Sequence, residues 1–119
     1  AYHAEQQGLE EISGIGYRKA LEFLIKDFLI NQSPNSDLKI KEKPLSICIK
    51  DSIDNSNLKE VAKRAAWLGN DHAHYIRKWE DRDLLDLKTL IEITVRYVEM
   101  ELLTKKYKSE MINENESSN

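Results

Sequence analysis

Residues 84–111, LLDLKTLIEITVRYVEMELLTKKYKSEM, decide the fold. Leu84, Leu87, Ile91, Thr94, Val95, Val98 and Leu102 recur at the spacing of one helix face. Leu85, Leu90, Ile93, Tyr97 and Met100 widen that stripe. No Gly or Pro interrupts the run, and Asp83 stands where a helix N-cap belongs. The pattern predicts a helix to about Met111, roughly 40 Å long. Its apolar face is broader than one neighbouring helix covers, so a homodimer through this helix is the economical expectation.

The rest of the chain reads as further helices. In residues 17–30, YRKALEFLIKDFLI, Tyr17, Leu21, Leu24 and Phe28 form a core-facing stripe. Arg18, Glu22 and Lys26 stand four apart as a solvated charge ladder. This first helix is expected from about His3 to Ile30, interrupted at Gly14 and Gly16. Residues 31–43 are polar, with Pro34, Asn35 and Ser36 clustered, and read as a loop. Pro44 then opens a second helix carrying Leu45, Cys48, Ile49 and Ile53. Residues 45–49 also alternate as a strand would, but no partner strand is evident. Asn57 with Glu60 resembles a capping box for a third helix bearing Leu58, Val61, Ala62, Ala65 and Leu68. The expected fold is an all-α bundle of four to five helices in one domain, residues 1–112. The polar residues 113–119 are expected to be a disordered tail. No internal repeat or heptad run stands out.

Composition narrows the function. The 119 residues are 40% hydrophobic and 33% charged, with a formal net charge of −3. That is a helix-rich globular profile without the global positive field of a general nucleic-acid binder. A single cysteine, Cys48, supports neither an internal disulfide nor a zinc site, and a reduced, cytoplasmic setting fits best. No apolar run approaches the roughly 20 residues of a membrane span. The chain opens AYHAEQQ without a methionine, which suggests a domain excised from a longer protein.

Residues 64–83, RAAWLGNDHAHYIRKWEDRD, carry the chemistry. Both tryptophans, two of the three histidines and three of the five arginines lie here. On a regular helix Arg64, Leu68 and Asp71 fall within about 40° of one direction, and Asn70 shares a face with His74. His72 and His74 diverge by about 160° and would not chelate one metal, so no metal or cofactor is expected. His74 suits a general acid or base with Asn70 or Asp71 orienting its ring, or a structural donor tying the turn together. Arg77, Tyr75 and His72 are the candidate phosphate contacts, although Lys78, Glu80, Asp81, Arg82 and Asp83 nearly cancel the local charge. Trp67 and Trp79 read first as packing anchors. Gly69 inside a helical run requires a closely approaching neighbour or a helix end.

The runs at 17–30, 63–83 (KRAAWLGNDHAHYIRKWEDRD) and 86–95 (DLKTLIEITV) resemble a family of bacterial domains of unknown function. That family belongs to the HEPN-like superfamily and occurs alone or fused to restriction-type and other defence proteins. The resemblance covers about residues 12–105 and centres on the signature WLGND-x-x-HY-x-RKWED. It implies a four- to five-helix bundle, usually dimeric, with long helices bracketing the motif. Many HEPN domains are metal-independent ribonucleases with an R-N-x-x-x-H motif that meets its two-fold mate. Asn70 and His74 match the Asn and His of that motif, while Gly69 stands where its Arg would be. The nearest upstream arginine, Arg64, lies about 120° from Asn70 on a regular helix. Loss of that cation removes charge stabilisation of the transition state unless Arg64 or Arg77 comes from the other subunit. Two functions are therefore expected to compete. One is a dimerising interaction or regulatory module of a defence or toxin-type system. The other is a ribonuclease or nucleotide- or RNA-binding domain using Asn70 and His74, with Arg64 and Asp71 in support.

Overall fold

The computed structural model describes residues 2–72, 82 and 84–113, and every regular element among them is helical. Helix α1 spans Tyr2–Gln32, and a 3₁₀ turn over Pro34–Ser36 leads into the short α2, Asp37–Glu42. Helices α3 (Leu45–Ser52), α4 (Ser56–His72) and α5 (Leu84–Glu110) follow. Among the described residues there is no strand, and none of the helices is long and apolar enough to cross a membrane. The all-α bundle expected from the sequence is the observed class.

Helix α4 lies between α1 and α5, and these two also touch each other. Its start is tied to the later part of α5 by a 3.0 Å bond from Asn55 Nδ2 to Glu101 Oε1. Near its other end, Leu68 shares a cleft with Asp86 and Leu90 from the start of α5. The two helices therefore run antiparallel. Arg18 meets Asn70 near the end of α4, whereas Gln32 lies beside Glu101 and Thr104. Helix α1 is thus antiparallel to α4 and parallel to α5.

The core gathers Leu21, Ile25, Phe28 and Leu29 of α1, Cys48, Ile49 and Ile53 of the α3 region, and Leu58, Ala62, Ala65 and Leu68 of α4, closed by Leu87 and Val98 of α5. Thr94 is fully buried, and its hydroxyl donates to the Leu90 carbonyl at 2.8 Å, so no buried donor is left unpaired there. Burial pushes the Cys48 thiol up, and its Sγ donates to the Ile40 carbonyl at 3.7 Å. It packs as a small core residue.

Several local expectations are corrected. Helix α1 passes through Gly14 and Gly16 without a break, and no described glycine takes the left-handed φ that ends helices. Residues 31–43 are not an open loop, because Ile40 is buried and anchors the turn of α2. The cap of α4 is Asn55 rather than Asn57: Asn55 Oδ1 accepts from the Leu58 backbone N–H at 2.9 Å. Glu60, freed from a capping role, pairs with Lys63 and Arg64. Of the charge ladder, Glu22 pairs with Lys26 and Lys19, while Arg18 reaches α4.

The molecule is a rod, 68 × 26 × 18 Å, with a radius of gyration of 17.5 Å. A compact chain of this length would have about 14 Å. The excess arises because the long helices slide past each other. Among the described helices, the start of α1 runs on past the end of α4, and the end of α5 runs on past the end of α1. Asn55→Ala, which removes both a cap and the link to Glu101, should cost about 1–2 kcal/mol in urea unfolding. Asn57→Ala should stay within about 0.5 kcal/mol.

Candidate functional site

Small residues on α4 set the geometry of the site. Ala62, Ala65, Ala66 and Gly69 recur at three- and four-residue spacing and are all buried. A side chain at Gly69 would meet Arg18: a Cβ there lies 3.2 Å from Arg18 Cβ, 3.3 Å from its Cγ and 3.6 Å from its Cα. The close approach expected of a mid-helix glycine is present, and the helix continues three residues beyond it. The aliphatic stem of Arg18 thus lies across Gly69, and its guanidinium emerges beside the next residue. Nη1 donates to Asn70 Oδ1 at 3.0 Å on the exposed face.

That contact changes the reading of the motif. Arg64, the nearest upstream arginine, keeps to the face about 120° from Asn70 that regular helix geometry gives it. It turns back to Glu60, donating Nη1 to both the carboxylate and the backbone carbonyl of that residue, and it lies 5.7 Å from the Trp67 ring centroid. The Arg64 hydrogen bond, assisted by Lys63, holds the Glu60 carboxyl below its ordinary range. Arg64 therefore already carries a counter-charge. It lines a cleft of about 400 Å³ between α4 and α5 with Trp67, Leu68, Asp86 and Leu90. Asn70 opens instead into a second cleft, of about 590 Å³, bounded by Ile15, Arg18, Lys19, Leu45 and Ala66. The two clefts flank α4 on opposite sides, so Arg64 and Asn70 do not converge within one chain.

The remaining candidates divide between the described and undescribed parts. Asp71 is buried and engaged, on the α4 flank away from Asn70. His72 is the last residue of α4, and its side chain is not described. His74, Tyr75 and Arg77, together with Trp79, lie outside the described residues. Trp67 is not the core anchor expected of it: it is 45% exposed, with Lys63 and Arg64 against its ring. Among the described residues no three His, Cys, Asp or Glu side chains stand together as a metal would require.

The residue missed from the sequence is Arg18. It sits 52 positions from Asn70, and its place in a regular charge ladder gave it an ordinary role. The available signal was Gly69, which announced a close neighbour without naming it. Comparison with family models, with curated proteins and with solved structures produced no match to this chain.

The glycines give a paired test of this geometry. Gly69→Leu should destabilise the fold by about 1–3 kcal/mol, because the new side chain displaces the Arg18 stem. Gly16→Ala, whose Cβ would meet nothing within 4 Å, should instead stabilise by about 0.5–1 kcal/mol in the same unfolding experiment.

Proposed function

We propose that this chain is a HEPN-like helical module that works by self-association, a dimerising interaction or regulatory unit of a bacterial defence or toxin-type system. The observation that carries the reading is a second apolar stripe on α5. Leu85, Ile93, Met100, Leu103, Tyr107 and Met111 are all exposed, from 37% at Ile93 to 73% at Met111. At 100° per residue they fall within about 80° of one direction, with Thr89 and Arg96 between them. Leu87, Thr94 and Val98, which face the core, lie on the other side of the same helix. A helix apolar on two faces needs two neighbours, and among the described residues the bundle covers only the inner face. The superfamily and its defence setting rest on the resemblance of residues 63–83 to the WLGND-x-x-HY-x-RKWED signature.

Metal-independent ribonuclease activity is the second reading, and the Arg18–Asn70 bond favours it. That bond puts a guanidinium beside the Asn of an N-x-x-x-H motif from which the adjacent arginine is missing. Against it stands the partition of the site: Arg64 is held by Glu60 on the far side of α4.

Sedimentation velocity at micromolar concentration should show a dimer. Met100→Glu combined with Leu103→Glu should yield a folded helical monomer whose unfolding midpoint no longer depends on protein concentration, since both side chains are solvent-facing in the single chain. A strictly monomeric parent protein contradicts the proposal. Incubation with structured RNA in EDTA should give no cleavage. Cleavage that disappears in His74→Ala would establish the ribonuclease reading instead.

A further inference from the structure

Gly69 has a packing reason, because the Arg18 stem crosses it, but Gly16 has none: a Cβ there would meet nothing within 4 Å. A mid-helix glycine costs helix stability relative to alanine, and here no neighbouring segment needs the space. The space left open at Gly16 belongs to the cleft of about 590 Å³ into which Asn70 opens. That volume lies within the range of small-molecule sites, about 300–1,000 Å³. Residues of α1, α4 and the start of α3 line the cleft, and α5 contributes none. Its apolar lining comes from Ile12, Ile15, Leu45 and Ala66. Ile15 is 47% exposed, so part of this lining is left in water.

The charge in the cleft is unevenly matched. Among the described residues, Arg18, Lys19 and Glu22 are the charged side chains that line it. Lys19 pairs with Glu22 at 3.4 Å, whereas Arg18 has no carboxylate partner among the described residues. The lining therefore carries one positive charge in excess. Arg18 is also held in place, with its stem across Gly69 and Nη1 donating to Asn70 Oδ1 at 3.0 Å. That neutral partner orients the guanidinium without cancelling its charge. The other guanidinium N–H groups and the amide N–H groups of Asn70 remain as donors beside that bond.

We infer that this cleft is a binding site for a small monocarboxylate with a compact apolar body. The planar fork of Arg18 matches the two oxygens of a carboxylate, and the Asn70 amide adds a further donor. One excess positive charge suits a monoanion better than a phosphate monoester, which carries about −1.5 to −2 at pH 7. The apolar body covers Ile15 and Leu45 and fills the space at Gly16. The site lies within one chain and away from the outer stripe of α5, so it does not depend on the self-association proposed above.

Octanoate is the probe, titrated calorimetrically into the full chain. It should saturate with a Kd below about 1 mM and shift the Asn70 side-chain amide signals in the ¹H–¹⁵N spectrum. Octanamide keeps the body without the charge, and acetate keeps the charge without the body. Each should bind at least about tenfold more weakly. Octyl phosphate should bind no more tightly than octanoate. Gly16→Leu projects into the cleft from a position with open space at its Cβ. It should abolish binding while keeping or raising the unfolding midpoint. Arg18→Met keeps a stem across Gly69 without the charge and should weaken octanoate about five- to twentyfold. Met100→Glu with Leu103→Glu should bind octanoate as the parent does, which separates this site from the dimer. No saturation by octanoate in that range, tighter binding of octyl phosphate, or unchanged binding by Gly16→Leu or Arg18→Met would overturn the site. Loss of binding in the α5 double variant would overturn its placement within one chain.

Discussion

The structure depends on how closely α4 approaches α1. Ala62, Ala65, Ala66 and Gly69 give α4 a face almost without side-chain volume, so the two backbones can draw together where Arg18 crosses Gly69. The small face supplies little apolar area of its own. Close packing compensates, because Leu21, Ile25 and Phe28 of α1 then reach the same core as Leu58 and Leu68 of α4. The same contact delivers the Arg18 guanidinium to Asn70. Packing at Gly69 and the Arg18–Asn70 hydrogen bond are therefore one feature, and a side chain at position 69 would disturb both.

With α4 seated against α1, α5 has one face to give to the core and one left over. Leu87, Thr94 and Val98 take the inner side, and the outer stripe from Leu85 to Met111 remains in water. The parallel arrangement of α1 and α5 adds the second consequence. Because the helices are offset, Leu9 near the start of α1 and Leu103, Tyr107 and Met111 near the end of α5 stay exposed at opposite ends of the rod. Among the described residues no element of the chain covers these surfaces.

Much of this was legible in residue spacing. The core positions Leu21, Phe28, Cys48, Ile49, Ile53, Leu58, Ala62, Ala65, Leu68 and Leu87 follow from helical periodicity, because each faces its own neighbours at a fixed interval. The breadth of the apolar face of α5 was equally readable, although not its division into two stripes. The errors arose where tertiary contact overrode local preference. Gly14 and Gly16 suggest an interruption of α1, yet the helix runs on through both. Asn55 caps α4 in place of Asn57 while also bonding Glu101, a partner 46 residues away. Arg18 looked like one rung of a surface ladder, and nothing local could show that Gly69 would pull it onto α4. Spacing along α4 puts Arg64 about 120° from Asn70, and the two do lie in different clefts, while the arginine that reaches Asn70 comes from another helix.

Small-angle X-ray scattering of the parent protein at micromolar concentration tests the central claim most directly, because mass and length are read together. Side-by-side self-association predicts a particle of two chains whose longest dimension stays close to the 68 Å of the single rod. A particle with the mass of one chain would contradict self-association outright. A two-chain particle approaching twice that length would contradict the side-by-side arrangement.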